Sequence, residues 1–146
     1  MGTIKVFKCS IRSGVDNICP AVKEVIRYLE DIYGLIDDSS VFELKVILSE
    51  LISNAVKHGN RENYNKEVKV RAGVTNDGKV FISVEDEGEG HDYNTFAMKA
   101  SMSAHQECDI FDMKETGRGI LIVNKLCDRV KFNKKGNKVV ILKSLH

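Results

Sequence analysis

The sequence has almost no excess of either charge: 22 basic residues stand against 21 acidic ones, for a formal net charge of +1. A field that weak gives no long-range attraction for nucleic acid or for an anionic membrane, so neither is an expected partner. Long apolar runs are missing too, since nothing approaches the roughly 18 consecutive apolar residues of a membrane-spanning helix. Four cysteines, Cys9, Cys19, Cys108 and Cys127, form no C-x-x-C pair and have no histidine at zinc-finger spacing. They read as reduced thiols, no secretory leader is visible, and the expected location is the cytoplasm. There is a single proline, no tryptophan, no internal repeat and no linker-like stretch. One domain over 1–146 is therefore expected.

What is present is ordinary globular patterning, with 42% apolar and 29% charged residues. Thr3 to Ile11 alternates, with Ile4 and Val6 between charged neighbours, as a half-buried strand near a sheet edge would. From Asn17, the apolar residues Ile18, Val22, Val25, Ile26, Leu29, Ile32 and Tyr33 recur at three- and four-residue steps and predict a helix stopped by Gly34. Pro20 falls in its first turn, where a missing N–H does little harm. A second helix is predicted from a Ser40/Glu43 capping-box pair, an apolar stripe of Leu44, Leu48, Leu51, Ile52 and Ala55, and a stop at His58–Gly59–Asn60. Glu67 to Val74 and Lys79 to Val84 alternate on either side of Asn76–Asp77–Gly78, the pattern of a tight antiparallel hairpin.

From Asp86 to Thr116 the pattern weakens into a long polar stretch, and a loop of that length in a compact domain is usually functional. Gly119 to Cys127 then reads as a short helix, Arg129 to Phe132 as a strand, Lys135–Gly136–Asn137 as a turn and Val139 to Leu142 as a last strand. Basic residues recurring from Lys125 to Lys143 alternate with apolar ones, as the solvated face of two strands would. The sum is an α+β domain, a two-layer α/β sandwich whose mainly antiparallel sheet carries helices on one face.

Three segments could carry chemistry. On the second helix, Glu43, Glu50, Asn54 and Lys57 fall within one arc, roughly opposite the apolar stripe. Such a trio of carboxylate, amide and ammonium is an ordinary solvated face when taken alone. Asparagine is, however, a poor helix-interior residue, because its side chain competes for backbone hydrogen bonds. Val84–Glu85–Asp86–Glu87–Gly88–Glu89–Gly90 sets an acid at a strand end, then two glycines that let a ligand approach the backbone while Asp86 accepts from a donor such as an amine. Its acid spacing is not that of a calcium-binding EF-hand loop. Thr116–Gly117–Arg118–Gly119 leads into the third helix, whose free N–H groups and dipole suit phosphate. It is neither a P-loop nor a dinucleotide fingerprint.

In this order the strings ELISNAVKHGN, VEDEGEG and TGRGILIVNKLCD resemble the N box and the two glycine boxes of the Bergerat-type (histidine-kinase-like) ATPases. Among these, the single-domain anti-sigma-factor serine kinases are the nearest in size, and the resemblance runs from about Thr3 to Leu145. It implies that Asn54 is the magnesium-binding amide, that Glu50 is the general base acting on a serine hydroxyl, and that Asp86 reads adenine. Gly88 and Gly90 would shape the base pocket, and Gly117 and Gly119 would hinge a phosphate-side lid. ATP and magnesium are the implied cofactors, with Lys57 also on the nucleotide side. The family's basic residue before the second glycine box is here Glu115–Thr116, leaving Lys114 or Arg118 as the phosphate partner. A Thr often found after the last hairpin glycine is replaced by Asn137–Lys138. The implied function is phosphorylation of a serine on a small anti-anti-sigma protein together with sequestration of a sigma factor, in a homodimer. Two alternatives stay open: a non-catalytic partner-switching module that keeps the fold, and a serine kinase that binds no sigma factor.

Overall fold

Asn76–Asp77–Gly78 reverses the chain because Gly78 takes φ +81°, a left-handed value that costs glycine nothing. Thr75 N donates to Lys79 O at 2.7 Å and closes that turn. In the computed structural model the described residues are 6–89 and 115–145, with the side chains of 115–118 excepted. The stretch read as a lid, together with Gly90 and Lys114, lies outside the described residues.

The turn joins β2 (Glu67–Val74) to β3 (Val80–Glu85). Before them run β1 (Val6–Arg12), α1 (Ile18–Tyr33) and α2 (Asp38–Asn54). After them come α3 (Glu115–Leu126), β4 (Arg129–Phe132) and β5 (Lys138–Lys143). The five strands form one sheet in the order β1-β2-β3-β5-β4, with every neighbouring pair antiparallel. Val68, Val70 and Ala72 of β2, Val80, Ile82 and Val84 of β3, and Val139 and Ile141 of β5 point to one face. There they meet Val22, Val25 and Leu29 of α1 and Leu44, Leu48, Leu51 and Ile52 of α2. Period-two burial on the strands and three-to-four spacing on the helices thus supply the two halves of one core. This is the expected α+β sandwich. Among the described residues no helix is long and apolar enough to cross a membrane.

Four local expectations are corrected. β1 does lie at the sheet edge, but Phe7, Cys9 and Ile11 are its core face, while Val6 is exposed. A two-residue period has two phases, and here the Phe7 ring packs on Tyr28 of α1 with centroids 5.1 Å apart. The second helix is capped by Asp37, whose Oδ2 accepts from Ser40 N at 3.2 Å; Ser40 is buried in the first turn rather than being the cap. α3 begins at Glu115, so Gly117 and Gly119 lie inside its first two turns rather than ahead of it. Lys143, read as part of a solvated face, is only 4% exposed. Its ammonium donates to Leu126 O at 2.7 Å and pairs with Glu43 Oε2 at 3.0 Å, tying the end of α3 and α2 to the last strand.

Candidate functional site

Glu50 and Asn54 are one helical turn apart in the last two turns of α2, so they share a face. The helix then widens into a π turn, Ala55–Gly59, in which Asn60 N donates to Ala55 O at 2.8 Å. Arg61 and Glu62 follow with φ of +52° and +56°, which turns the chain sharply toward β2. The π turn brings Gly59 against the end of β3. A Cβ on Gly59 would land on the Asp86 carboxylate, and one on Gly88 would land on the Gly59 carbonyl oxygen. Gly59, Asp86 and Gly88 therefore nest closer together than side-chain-bearing residues could. Asp86 is 7% exposed, and its Oδ1 accepts from Gly88 N at 2.8 Å.

Beside this nest opens a small, half-open cleft lined by Leu51, Asn54, Ala55, Val84, Asp86, Ile120, Phe132, Gly136, Asn137, Lys138 and Val139. Its walls are apolar, and Asn54 and Asp86 bring an amide and a carboxylate to it. Apolar walls with a few fixed polar groups are the usual lining of a small-molecule site. Asn54 is 8% exposed, and its Nδ2 has no hydrogen-bond partner among the described residues. A buried amide without a partner costs stability, and the amide N and O are interchangeable by rotation, so an oxygen could equally be turned to a cation there. The β4–β5 turn closes the other side. Asp86 N donates to Asn137 O at 2.9 Å, and Asn137 Nδ2 donates to Asp86 O, also at 2.9 Å. Asn133 Oδ1 holds the turn by accepting from Gly136 N and Asn137 N at 2.8 and 3.0 Å.

Glu50 does not line this cleft. Its carboxylate lies against the backbone of α3 at Gly119, where an added Cβ would meet Oε2 and come within 3.2 Å of Cδ. Asn54, Asp86 and Gly88 are thus gathered at one place and Glu50 and Gly119 at a second, one turn along α2. Lys57 sits half-buried in the π turn and is not part of the cleft lining. Gly117 is in the first turn of α3, the Arg118 side chain and Gly90 are outside the described residues. Sequence reasoning missed Gly59 and Asn60, which it treated only as a helix stop. It also missed Asn137 as a wall, although the polar pair after a hairpin glycine was noticed. Behind the site, burial pushes the Cys127 thiol up to about 12, with the nearby Lys143 ammonium pulling the other way.

Over residues 18–143 the chain matches the histidine kinase-like ATPase domain. The chain belongs to that family. It is 31% identical over 106 residues to the serine-protein kinase RsbW of Bacillus subtilis, an alignment covering 71% of this chain and 64% of the relative. RsbW of Oceanobacillus iheyensis is 29% identical over 103 residues, 70% of this chain and 64% of the relative. The chain thus spans just under two thirds of the length of these curated relatives. Among solved structures, the RsbU and RsbW domains of a Mycobacterium tuberculosis protein superpose with a TM-score of 0.64 at 18% identity, covering 97% of this chain and 32% of that one. The histidine kinase domain of a blue-light activated kinase from Erythrobacter litoralis gives 0.53 at 16% identity, covering 88% of this chain and 61% of that one. At those identities the likeness is one of fold.

Proposed function

We propose that this ATPase-family chain binds Mg-ATP in the Asn54–Asp86 cleft and transfers the terminal phosphoryl group to a serine of a small anti-anti-sigma protein, holding a sigma factor in its other state. The observation that carries the reading is the buried Asn54 Nδ2, without a hydrogen-bond partner among the described residues, in the same cleft as the nested Asp86 carboxylate. Asp86 would accept the exocyclic amine of adenine between the apolar walls. Asn54 would hold magnesium through its amide oxygen. Among the described residues no group of three or more His, Cys, Asp or Glu gathers for a metal, so the ion would take its other ligands from phosphate and water, as magnesium commonly does. When bound, the ion neutralises charge on the phosphates. Glu50, on α2 and lying against α3 at Gly119, would orient and deprotonate the serine hydroxyl. Gly117 and Gly119 would keep the helix start close to phosphate, with Lys57 or Arg118 as added cations. Gly88 and Gly90 would shape the base side. The name of the relatives, serine-protein kinase RsbW, supports this reading. One domain over residues 1–146, a homodimer and a cytoplasmic setting belong to the same proposal.

Glu115–Thr116 at the start of α3, where the family carries a basic residue, favours one second reading: a partner-switching module that binds nucleotide without transferring phosphate. Thermal unfolding with and without Mg-ATP tests the site itself. Ligand at a hundredfold its Kd adds about 2.7 kcal/mol, a rise of roughly 5–10 °C. Asn54→Ala should lose that rise while leaving the ligand-free melting point unchanged or higher, since it deletes an unpartnered amide. No rise at millimolar Mg-ATP would sink both readings. If the rise is present, Glu50→Gln separates them: serine phosphorylation is lost under the first, and partner binding is unchanged under the second.

A further inference from the structure

Asn60 follows the π turn and is 1% exposed. Its Nδ2 donates to Ser13 Oγ at 2.7 Å and to Glu67 O at 2.9 Å, and its Oδ1 accepts from Glu87 N at 2.7 Å. These partners fix the amide's orientation without ambiguity. Glu67 O can only accept and Glu87 N can only donate, so the reversed amide would oppose like groups at both. Ser13, itself fully buried, gives its own proton to Lys66 O at 2.9 Å, which leaves its oxygen to accept from Asn60. Two donors and an acceptor are all used, and no other residue of this size offers the same set.

The Glu87 N–H belongs to the same peptide plane as the Asp86 C=O. That carbonyl accepts from Asn137 Nδ2 at 2.9 Å, while the N–H is held by Asn60. In a trans peptide the two groups point in opposite directions. The plane between residues 86 and 87 is therefore gripped at both ends by asparagine side chains from different parts of the chain. Rotation of this plane changes ψ at Asp86 and φ at Glu87 and so displaces Gly88, whose N–H donates to Asp86 Oδ1 at 2.8 Å and orients that carboxylate.

We propose that Asn60 is a positioning residue for base selection: by locking the 86–87 peptide it holds the Asp86 carboxylate where it distinguishes adenine from a purine lacking the exocyclic amine. This rests on the reading that Asp86 faces the base. The test compares the Kd of Mg-ATP with that of the magnesium complex of purine riboside triphosphate, on the full chain. The wild type is expected to prefer ATP by roughly 10- to 100-fold, the worth of one hydrogen bond to a charged group, and Asp86→Ala to lose that preference. Asn60→Ala should bring the preference to within about threefold of unity, approaching Asp86→Ala. Ser13→Ala, which loosens the same buried network without touching Glu87, should lower the melting point and keep the preference. If Asn60→Ala does not fold, Asn60→Gln, which displaces the amide by one methylene, carries the same readout. Full wild-type preference in a folded Asn60 variant would overturn the positioning role and leave Asn60 a structural residue. A wild type without any preference would instead overturn the reading of Asp86 on which the role depends.

Discussion

A methyl group placed on Gly119 has nowhere to go but into the Glu50 carboxylate, whose Oε2 would have to retreat by about 1 Å or more to reach ordinary contact. The two consequences have different signs. Gly119 is the fifth residue of α3, and alanine is favoured over glycine inside a helix by about 0.8–1 kcal/mol. Moving the end of a flexible glutamate off its rotamer costs about 0.5–1.5 kcal/mol. These nearly cancel, so the melting point of Gly119→Ala should stay within a few degrees of wild type. Gly119 does not line the cleft, so the Kd for Mg-ATP, read by thermal shift, should change by no more than severalfold. Phosphoryl transfer should fall about 100-fold, the usual cost of misplacing a reacting group by 1 Å. Transfer to the serine-bearing antagonist is the assay, with basal ATP hydrolysis as a second readout. A folded, ATP-binding Gly119→Ala protein that transfers phosphate within threefold of the wild-type rate would refute the assignment of Glu50 as a base working from its place against α3.

Lys143→Met should cost about 2–3 kcal/mol in urea unfolding, because the ion pair with Glu43 and the hydrogen bond to Leu126 O are both removed; a loss below 0.5 kcal/mol would show the pair to be idle. Asp37→Ala removes the cap on Ser40 N and should lower stability by about 1 kcal/mol, or 2–4 °C, whereas Ser40→Ala should not act as a cap loss. The Cys127 thiol is raised from 9.0 to about 12 by burial. The unfolded chain ionises first, so this contribution is complete below pH 9 and is lost as pH climbs through 12. The urea midpoint of wild type should therefore fall faster over that alkaline range than that of Cys127→Ala, and parallel slopes would count against it.

The hairpin, the α2 stripe and the spacing of Glu50, Asn54, Asp86 and Gly88 were legible because each rests on local chemistry: a turn that needs positive φ, a helical period, a polar residue out of place. What was not legible depended on distant partners. The phase of β1 is decided by the Phe7–Tyr28 contact, which alternation alone cannot supply. Lys143 looks like any strand lysine until Glu43, from the other end of the chain, is seen to neutralise it. Ser40 with Glu43 satisfied the capping-box pattern, but Asp37 one turn earlier was the better acceptor, and burial took Ser40 inside. Asn60 carries no local signature at all, since its four-segment network exists only once β1, β2 and β3 are assembled. The family resemblance was upheld at the level of the family; it had no bearing on Asn60 and Asn137, which brace the 86–87 peptide.

The strand order has a consequence for synthesis of the chain. β1 has its partner β2 by the time residue 74 is made, and β2 has β3 by residue 85, but β3 also pairs with β5, from Val80↔Lys143 to Glu85↔Lys138. As the chain leaves the ribosome, α1, α2 and the first three strands can associate while one edge of β3 stays bare. Its backbone donors and acceptors then wait unpaired beside the apolar side of the cleft, a condition that invites foreign strands. Ile120, Phe132 and Asn137, which complete the cleft, arrive only with the C-terminal part. A chain that stalls or is truncated before them has no complete cleft, so nothing that binds there can stabilise it.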